Sequence, residues 1–205
     1  LSSVISSNMK IMKKIGALAA LLLPGLALLS SCNKAEFIGE WKAVNPVNVT
    51  AEVNGAESAS EDVILAFSEA QGKTAGKVEM TGKFKVSIAL PSDSTATPVP
   101  VTFTADARCD GSWTPDSDDD DDLLLAFNYD AITVTVDKNS LAGTGKLSPD
   151  QLTSTQELCR MKVENAFRST LSRYSVVDDV EISKDKTSMN LELKNPKEKV
   201  YFTRR

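Results

Sequence analysis

The side chains best placed to do chemistry in this chain are carboxylates, because it contains no histidine. That absence excludes imidazole proton transfer, Ser–His and Cys–His nucleophile pairs, and every metal site built on histidine. The densest carboxylate group is Asp116-Ser117-Asp118-Asp119-Asp120-Asp121-Asp122, six acids in seven residues. Calcium takes six to eight oxygen ligands, so Asp116, Asp118, Asp120 and Asp122 are candidate ligands. The run lacks the Asp-x-Asp-x-Asp-Gly spacing and distal Glu of an EF-hand loop. Its leading reading is a solvated hairpin tip that keeps the neighbouring Leu123-Leu124-Leu125 soluble. Serines have no Gly-x-Ser-x-Gly elbow around them. Outside the aspartate run, spacing marks no two acids as a glycosidase pair. Gly143-Thr144-Gly145-Lys146 misses the phosphate-loop pattern, since Ser140 stands at the first glycine position and Leu147 follows the lysine. The sequence therefore points away from an enzyme and implies no cofactor.

Length and composition set the frame for whatever positions these residues. The chain has 205 residues, the size of one domain or two small ones. Apolar residues make up 41% and charged residues 25%, an ordinary globular balance. The formal net charge of −5 argues against nucleic acid, whose binders carry basic patches.

The N-terminal segment reads as a targeting signal. Lys10, Lys13 and Lys14 form a positive region, and Ile15–Leu29 is an apolar stretch broken by Gly16, Pro24 and Gly25. It is too short and too interrupted for a spanning helix. The expected start is Met9 or Met12, with 1–8 as upstream read-through. Leu29-Ser30-Ser31-Cys32 resembles the lipobox of bacterial lipoproteins, which implies cleavage before Cys32 and lipidation of that cysteine. The expected organisation is a signal peptide over 1–31 and one lipid-anchored domain over 32–205. Removing 1–31 takes three lysines and no acid, leaving 20 basic against 28 acidic residues, a net charge of −8. Such a domain would be held to a membrane by its lipid rather than by attraction to anionic headgroups. Asn33-Lys34-Ala35-Glu36 lacks the acidic run resembling a surface-export signal, so an outer-membrane anchor facing the periplasm is expected. Cys109 and Cys159 remain as an even pair in an oxidising compartment. They would form either one disulfide, closing a loop of about 50 residues for roughly 4 kcal/mol, or two buried thiols acting as small hydrophobes.

Alternation of period two dominates the rest. Val78, Met80, Phe84, Val86, Ile88 and Leu90 share one parity, with Gly82 marking a bulge or bend on that face. Val99, Val101, Phe103, Ala105, Ala107 and Cys109 repeat the pattern, as do Leu123, Leu125, Phe127 and Tyr129, then Ile132, Val134 and Val136. Strands are also expected over Phe37–Val44 and Val63–Ser68, more weakly over Val47–Val53, and late over Val177–Ser183, Met189–Leu193 and Val200–Thr203. Gly111-Ser112-Trp113 reads as a strand start after a turn at Asp110-Gly111. One helix stands out: Ser148-Pro149-Asp150-Gln151 is a capping box with proline at the first helical position. Leu152, Cys159, Val163, Phe167, Thr170 and Tyr174 then form one stripe that should pack on the sheet or plug a barrel end. The expected fold is mainly β, an antiparallel up-and-down barrel of about 8–10 strands with one late α-helix; an open sandwich is the second choice.

The two ends of this body carry a resemblance. Gly39-Glu40-Trp41 on the first strand and Phe202-Thr203-Arg204 on the last are similar to the calycin signature. There a Gly-x-Trp opens the barrel and a C-terminal arginine stacks across the tryptophan. With the lipobox, the chain resembles Bacteroidetes lipocalin-like lipoproteins. The resemblance implies a barrel closed by Gly39, Trp41 and Arg204 that binds a small apolar or amphipathic ligand. Phe84, Val86, Ile88, Val101, Phe103, Leu125, Phe127 and Val134 are the candidate lining. The alternative is a filled barrel serving as a structural or accessory protein through protein–protein contacts.

Overall fold

The computed structural model describes residues 36–69, 75–90, 98–115, 122–141 and 148–205; the leader, Cys32 and Asp116, Asp118 and Asp120 lie outside these. Ten strands and one α-helix follow in order. They are β1 (Gly39–Ala43), β2 (Val47–Asn48), β3 (Ala56–Glu69), β4 (Gly76–Leu90), β5 (Val99–Pro115), β6 (Leu123–Phe127), β7 (Thr133–Val136), α1 (Pro149–Arg173), β8 (Val176–Ile182), β9 (Ser188–Lys194) and β10 (Lys197–Arg204). Neighbours pair in the order β1-β10-β9-β8-β6-β5-β4-β3, and β1 also pairs β3. That last pairing, with Trp41 opposite Leu65 and Gly39 opposite Phe67, closes an eight-stranded antiparallel barrel. The architecture is lipocalin-like, and closure removes the sandwich alternative.

The strands differ greatly in length. β3, β4 and β5 run 14, 15 and 17 residues, whereas the flanking β1 and β6 have five each. β1 therefore covers β3 only over its later part, and β2 takes up the edge at Ser60 and Glu61. Likewise β6 pairs Gly111 to Pro115 of β5, and β7 takes over from Ala105 to Arg108. The ring is closed at the end bearing Trp41 and Trp113. At the other end a broad sheet would be left with its apolar inner face open to water.

Helix α1 covers that face. It starts as the sequence requires: the Ser148 hydroxyl accepts from the Gln151 amide at 3.3 Å, and the Gln151 side chain accepts from the Ser148 amide at 2.9 Å. Cys159, Val163, Ala166, Phe167, Thr170 and Leu171 form its buried stripe. The Phe167 ring meets Phe84 edge-on, with centroids 6.2 Å apart. Its outer side carries Arg160 bridging Glu157 and Glu164, and Arg168 on Glu164. Exposed pairs at these spacings add a few tenths of a kcal/mol each.

Four sequence expectations need correction. β3 begins at Ala56 rather than Val63, because polar Glu57, Ser58, Ser60, Glu61 and Asp62 mask its alternation. No turn interrupts Asp110-Gly111; β5 is continuous, and Trp113 is a buried core residue whose Nε1 donates to the Ser68 carbonyl at 2.9 Å. Gly82 stays in register opposite Val63, and the irregularity lies instead between Ala56 and Ser58. The weak strand over Val47–Val53 shortens to Val47–Asn48, with Val49 and Val53 entering the core from the following turn.

Inward parity is apolar and outward parity is charged: Lys77, Lys83, Lys85, Asp106 and Arg108 point outward from β4 and β5 and are exposed. This is the reverse of a barrel embedded in lipid. No helix among the described residues is long and apolar enough to cross a membrane. If α1 is part of the single core, Phe167→Ala should lower the unfolding free energy by about 3–5 kcal/mol in urea titration. A loss below about 1 kcal/mol would mark α1 as a separable appendage.

Candidate functional site

The barrel closure is the first candidate. Trp41 is fully buried, and its Nε1 donates to the Phe37 carbonyl at 2.6 Å. Arg204 lies directly opposite Trp41 in the β1–β10 register, and its guanidinium carbon sits 4.6 Å from the indole centroid. The same guanidinium donates through Nη2 to the carbonyls of Glu36 at 2.9 Å and Ile38 at 3.3 Å. Gly39 adopts φ +136°, a conformation that side chains strain, and this kink lets the entering chain wrap the arginine. Arg205 instead pairs with the Glu40 carboxylate. Phe37 fills the space below, edge-on to Phe67 at 5.2 Å and to Trp113 at 4.9 Å. The structure thus brings Gly39, Trp41 and Arg204 together. Since the indole and two carbonyls occupy the guanidinium, this arrangement staples the barrel ends and offers no reacting group.

The eight candidate lining residues fall on one inner surface. Phe84, Val86, Ile88, Val101, Phe103, Leu125 and Phe127 are at most 8% exposed, and Val134 is half-buried against the same core. These side chains belong to one buried core cluster with the α1 stripe, and Phe84 meets Phe167 of α1 edge-on.

Cys109 and Cys159 are separate buried thiols in this structure. The Cys109 thiol donates to the Asn128 carbonyl at 3.3 Å, and Cys159 belongs to the α1 stripe. Burial pushes both thiols up, Cys159 to about 11, which makes them poor nucleophiles. Of the aspartate run, Asp122 is described and lies just before β6. Among the described residues no three Cys, Asp or Glu gather at metal-binding distance.

The group that sequence reasoning missed is Glu61. It sits on β3 at inward parity, fully buried, opposite Phe84. Its Oε2 lies at hydrogen-bond distance, 2.6 Å, from the Thr170 hydroxyl of α1, while Oε1 has no protein partner. Gly82 makes the room: a Cβ there would come within 2.3 Å of Glu61 Oε1 and 2.9 Å of the Phe84 ring. Burial pushes the Glu61 carboxyl up to about 8; the Thr170 hydroxyl and the Arg173 guanidinium pull the other way, and Glu52 adds to the rise. Tyr174 beside it is raised too, by burial first and by Glu61 second. The signal available in the sequence was the coincidence of an acid at inward parity on one strand and a glycine at inward parity on the next.

Among the described residues, several grooves mark the outer face of β3–β5. One of about 560 Å³ is rich in hydroxyls, including Thr50, Ser58, Ser60, Ser87, Thr102 and Ser140. Another of about 450 Å³ is charged, with Glu40, Glu79, Lys83, Asp106, Arg108 and Arg205 around it. Compared with known proteins, the chain matches no family model, no curated protein and no solved structure.

The closure has a measurable worth. Arg204→Ala should cost about 1 kcal/mol in urea unfolding and shift tryptophan emission to the red as water reaches Trp41. An unchanged midpoint with unchanged emission would show that the stacked guanidinium contributes nothing to closure.

Proposed function

We propose that the chain is a lipid-anchored cell-envelope protein whose lipocalin-like barrel acts as an accessory module through its outer surface rather than by carrying a ligand in its lumen. The observation behind this reading is the closed inner surface: the side chains expected to line a chamber pack on one another and on α1. The anchor rests on the basic leader, the interrupted apolar stretch and the lipobox-like Leu29-Ser30-Ser31-Cys32. Three residues separate Cys32 from Glu36, a reach of roughly 14 Å when extended. Arg204 holds Glu36 at the closed end of the barrel. An acyl group on Cys32 would keep that end close to the bilayer and turn the strand flanks sideways. A partner would then meet the charged and hydroxyl-bearing grooves of β3–β5, where exposed ionic groups select a partner more than they bind it tightly.

Native mass spectrometry of the protein, purified gently from its own envelope, tests both parts. The expected spectrum shows a polypeptide beginning at an acylated Cys32, without a bound small molecule and with a protein partner retained. A stoichiometric apolar compound released by organic extraction would establish the carrier reading instead. An unacylated mass would remove the anchor.

A further inference from the structure

We infer that the seating of α1 in the barrel is a proton-controlled latch, in which Glu61 of β3 holds Thr170 of α1 while the carboxyl is neutral and releases the helix when the carboxyl ionises. This goes beyond the surface role proposed above and does not depend on it.

The argument begins with proton counting. The Thr170 hydroxyl has one proton, yet it lies 2.6 Å from Glu61 Oε2 and 3.4 Å from the Ala166 carbonyl. Both contacts are satisfied together when Glu61 carries its own proton and donates to the Thr170 oxygen, freeing the hydroxyl to donate to Ala166. With Glu61 ionised, the Thr170 proton must turn to the carboxylate and the Ala166 carbonyl loses it. Oε1 then becomes a charged oxygen against the Gly82 backbone and the Phe84 ring, with no donor. A buried carboxylate with one oxygen left without a hydrogen-bond partner is costly in a protein interior, even when its other oxygen keeps a donor.

The neighbouring donors do not reach the ion in the seated geometry. From α1, Arg173 approaches; its Nη2 pairs with Glu198 of β10, and its buried Nε makes no hydrogen bond to the carboxylate. Tyr174, the residue that caps the C-terminus of α1, is buried with a hydroxyl that makes no hydrogen bond to it either. From the turn between β2 and β3 comes Glu52, whose charge repels. β4 offers Gly82 and Phe84, since its Lys83 and Lys85 point outward. The remaining outlet is movement of the helix, which is tied to the barrel here by the Thr170 contact, the Arg173–Glu198 pair and a Lys162 bond to the Asn54 carbonyl. Lifting this part of α1 lets water reach Glu61.

The direction follows from where the carboxyl titrates. Seated, Glu61 holds its proton up to about 8; exposed, it would lose it near the ordinary value of 4.5. The seated state thus binds more protons than the released one between these values. The latch is fully closed below about 4.5, weakens steadily as pH rises, and changes no further above about 8.

Hydrogen exchange of the intact purified protein, read by mass spectrometry and expressed as protection factors, tests this between pH 5 and 9. Amides of α1 around Ala166 to Thr170 should lose protection on the order of tenfold per pH unit up to about pH 8, then level off. Amides of β9 and β10 should hold theirs. In Glu61→Gln, neutral at every pH, the α1 decline should vanish. If that variant does not fold, Thr170→Val removes the carboxylate's donor and should move the levelling-off point above pH 8. The inference is overturned if α1 protection is independent of pH or falls in step with β9 and β10. It is overturned equally by the same decline in Glu61→Gln, or by an unmoved levelling-off point in Thr170→Val.

Discussion

The structure depends on a mismatch of strand lengths. Three long strands, β3 to β5, are flanked by β1 and β6, which are a third as long. A barrel built from such strands can close fully at one end only. Past the reach of β1 and β6, Phe84, Val86 and Phe103 on the inner faces would meet water, at roughly 1.5–3 kcal/mol for each large apolar side chain. The 25-residue helix between β7 and β8 resolves this by laying its apolar stripe on them. The helix is therefore part of the barrel's interior. Whatever the barrel does, it does either with α1 in place or by moving it.

The two ends of the molecule are held by different physics. The closed end is fixed by stacked aromatic rings and by a guanidinium that lies over Trp41 while bonding two backbone carbonyls. Those interactions change little with pH, because arginine stays charged throughout. The helix end combines apolar packing with one buried carboxyl, and a buried carboxyl makes packing sensitive to protons. A rigid end beside a conditional one is the arrangement expected if one part of the fold is kept fixed while another responds to its surroundings.

Much of this was legible in the sequence, and the exceptions have a common cause. Alternation in Val78 to Leu90 and Val99 to Cys109 located the two longest strands, and Ser148 with Gln151 located the first turn of α1 to the residue. Gly39, Trp41 and Arg204 were legible because a short-range pattern reports them. Reading failed wherever a long-range contact overrides local preference. Glu61 looks like a surface residue until Gly82 and Thr170 are brought to it from 21 and 109 positions away. Asp110-Gly111 looks like a turn because local sequence cannot show β4 and β6 pairing on either side of Gly111. Nor could composition distinguish an open chamber from a filled one: the same apolar residues would line either, and only the position of α1 separates them.

That position is the central claim, and it is most directly tested by nuclear Overhauser effects in the isotopically labelled protein near pH 6. The account predicts cross-peaks between the Phe84 and Phe167 rings, whose centroids lie 6.2 Å apart, and between the side chains of Thr170 and Glu61. It also predicts a slowly exchanging amide at Phe167. Absence of both contacts, with rapid exchange along the Cys159 to Leu171 stripe, would place the helix outside the barrel and contradict the account.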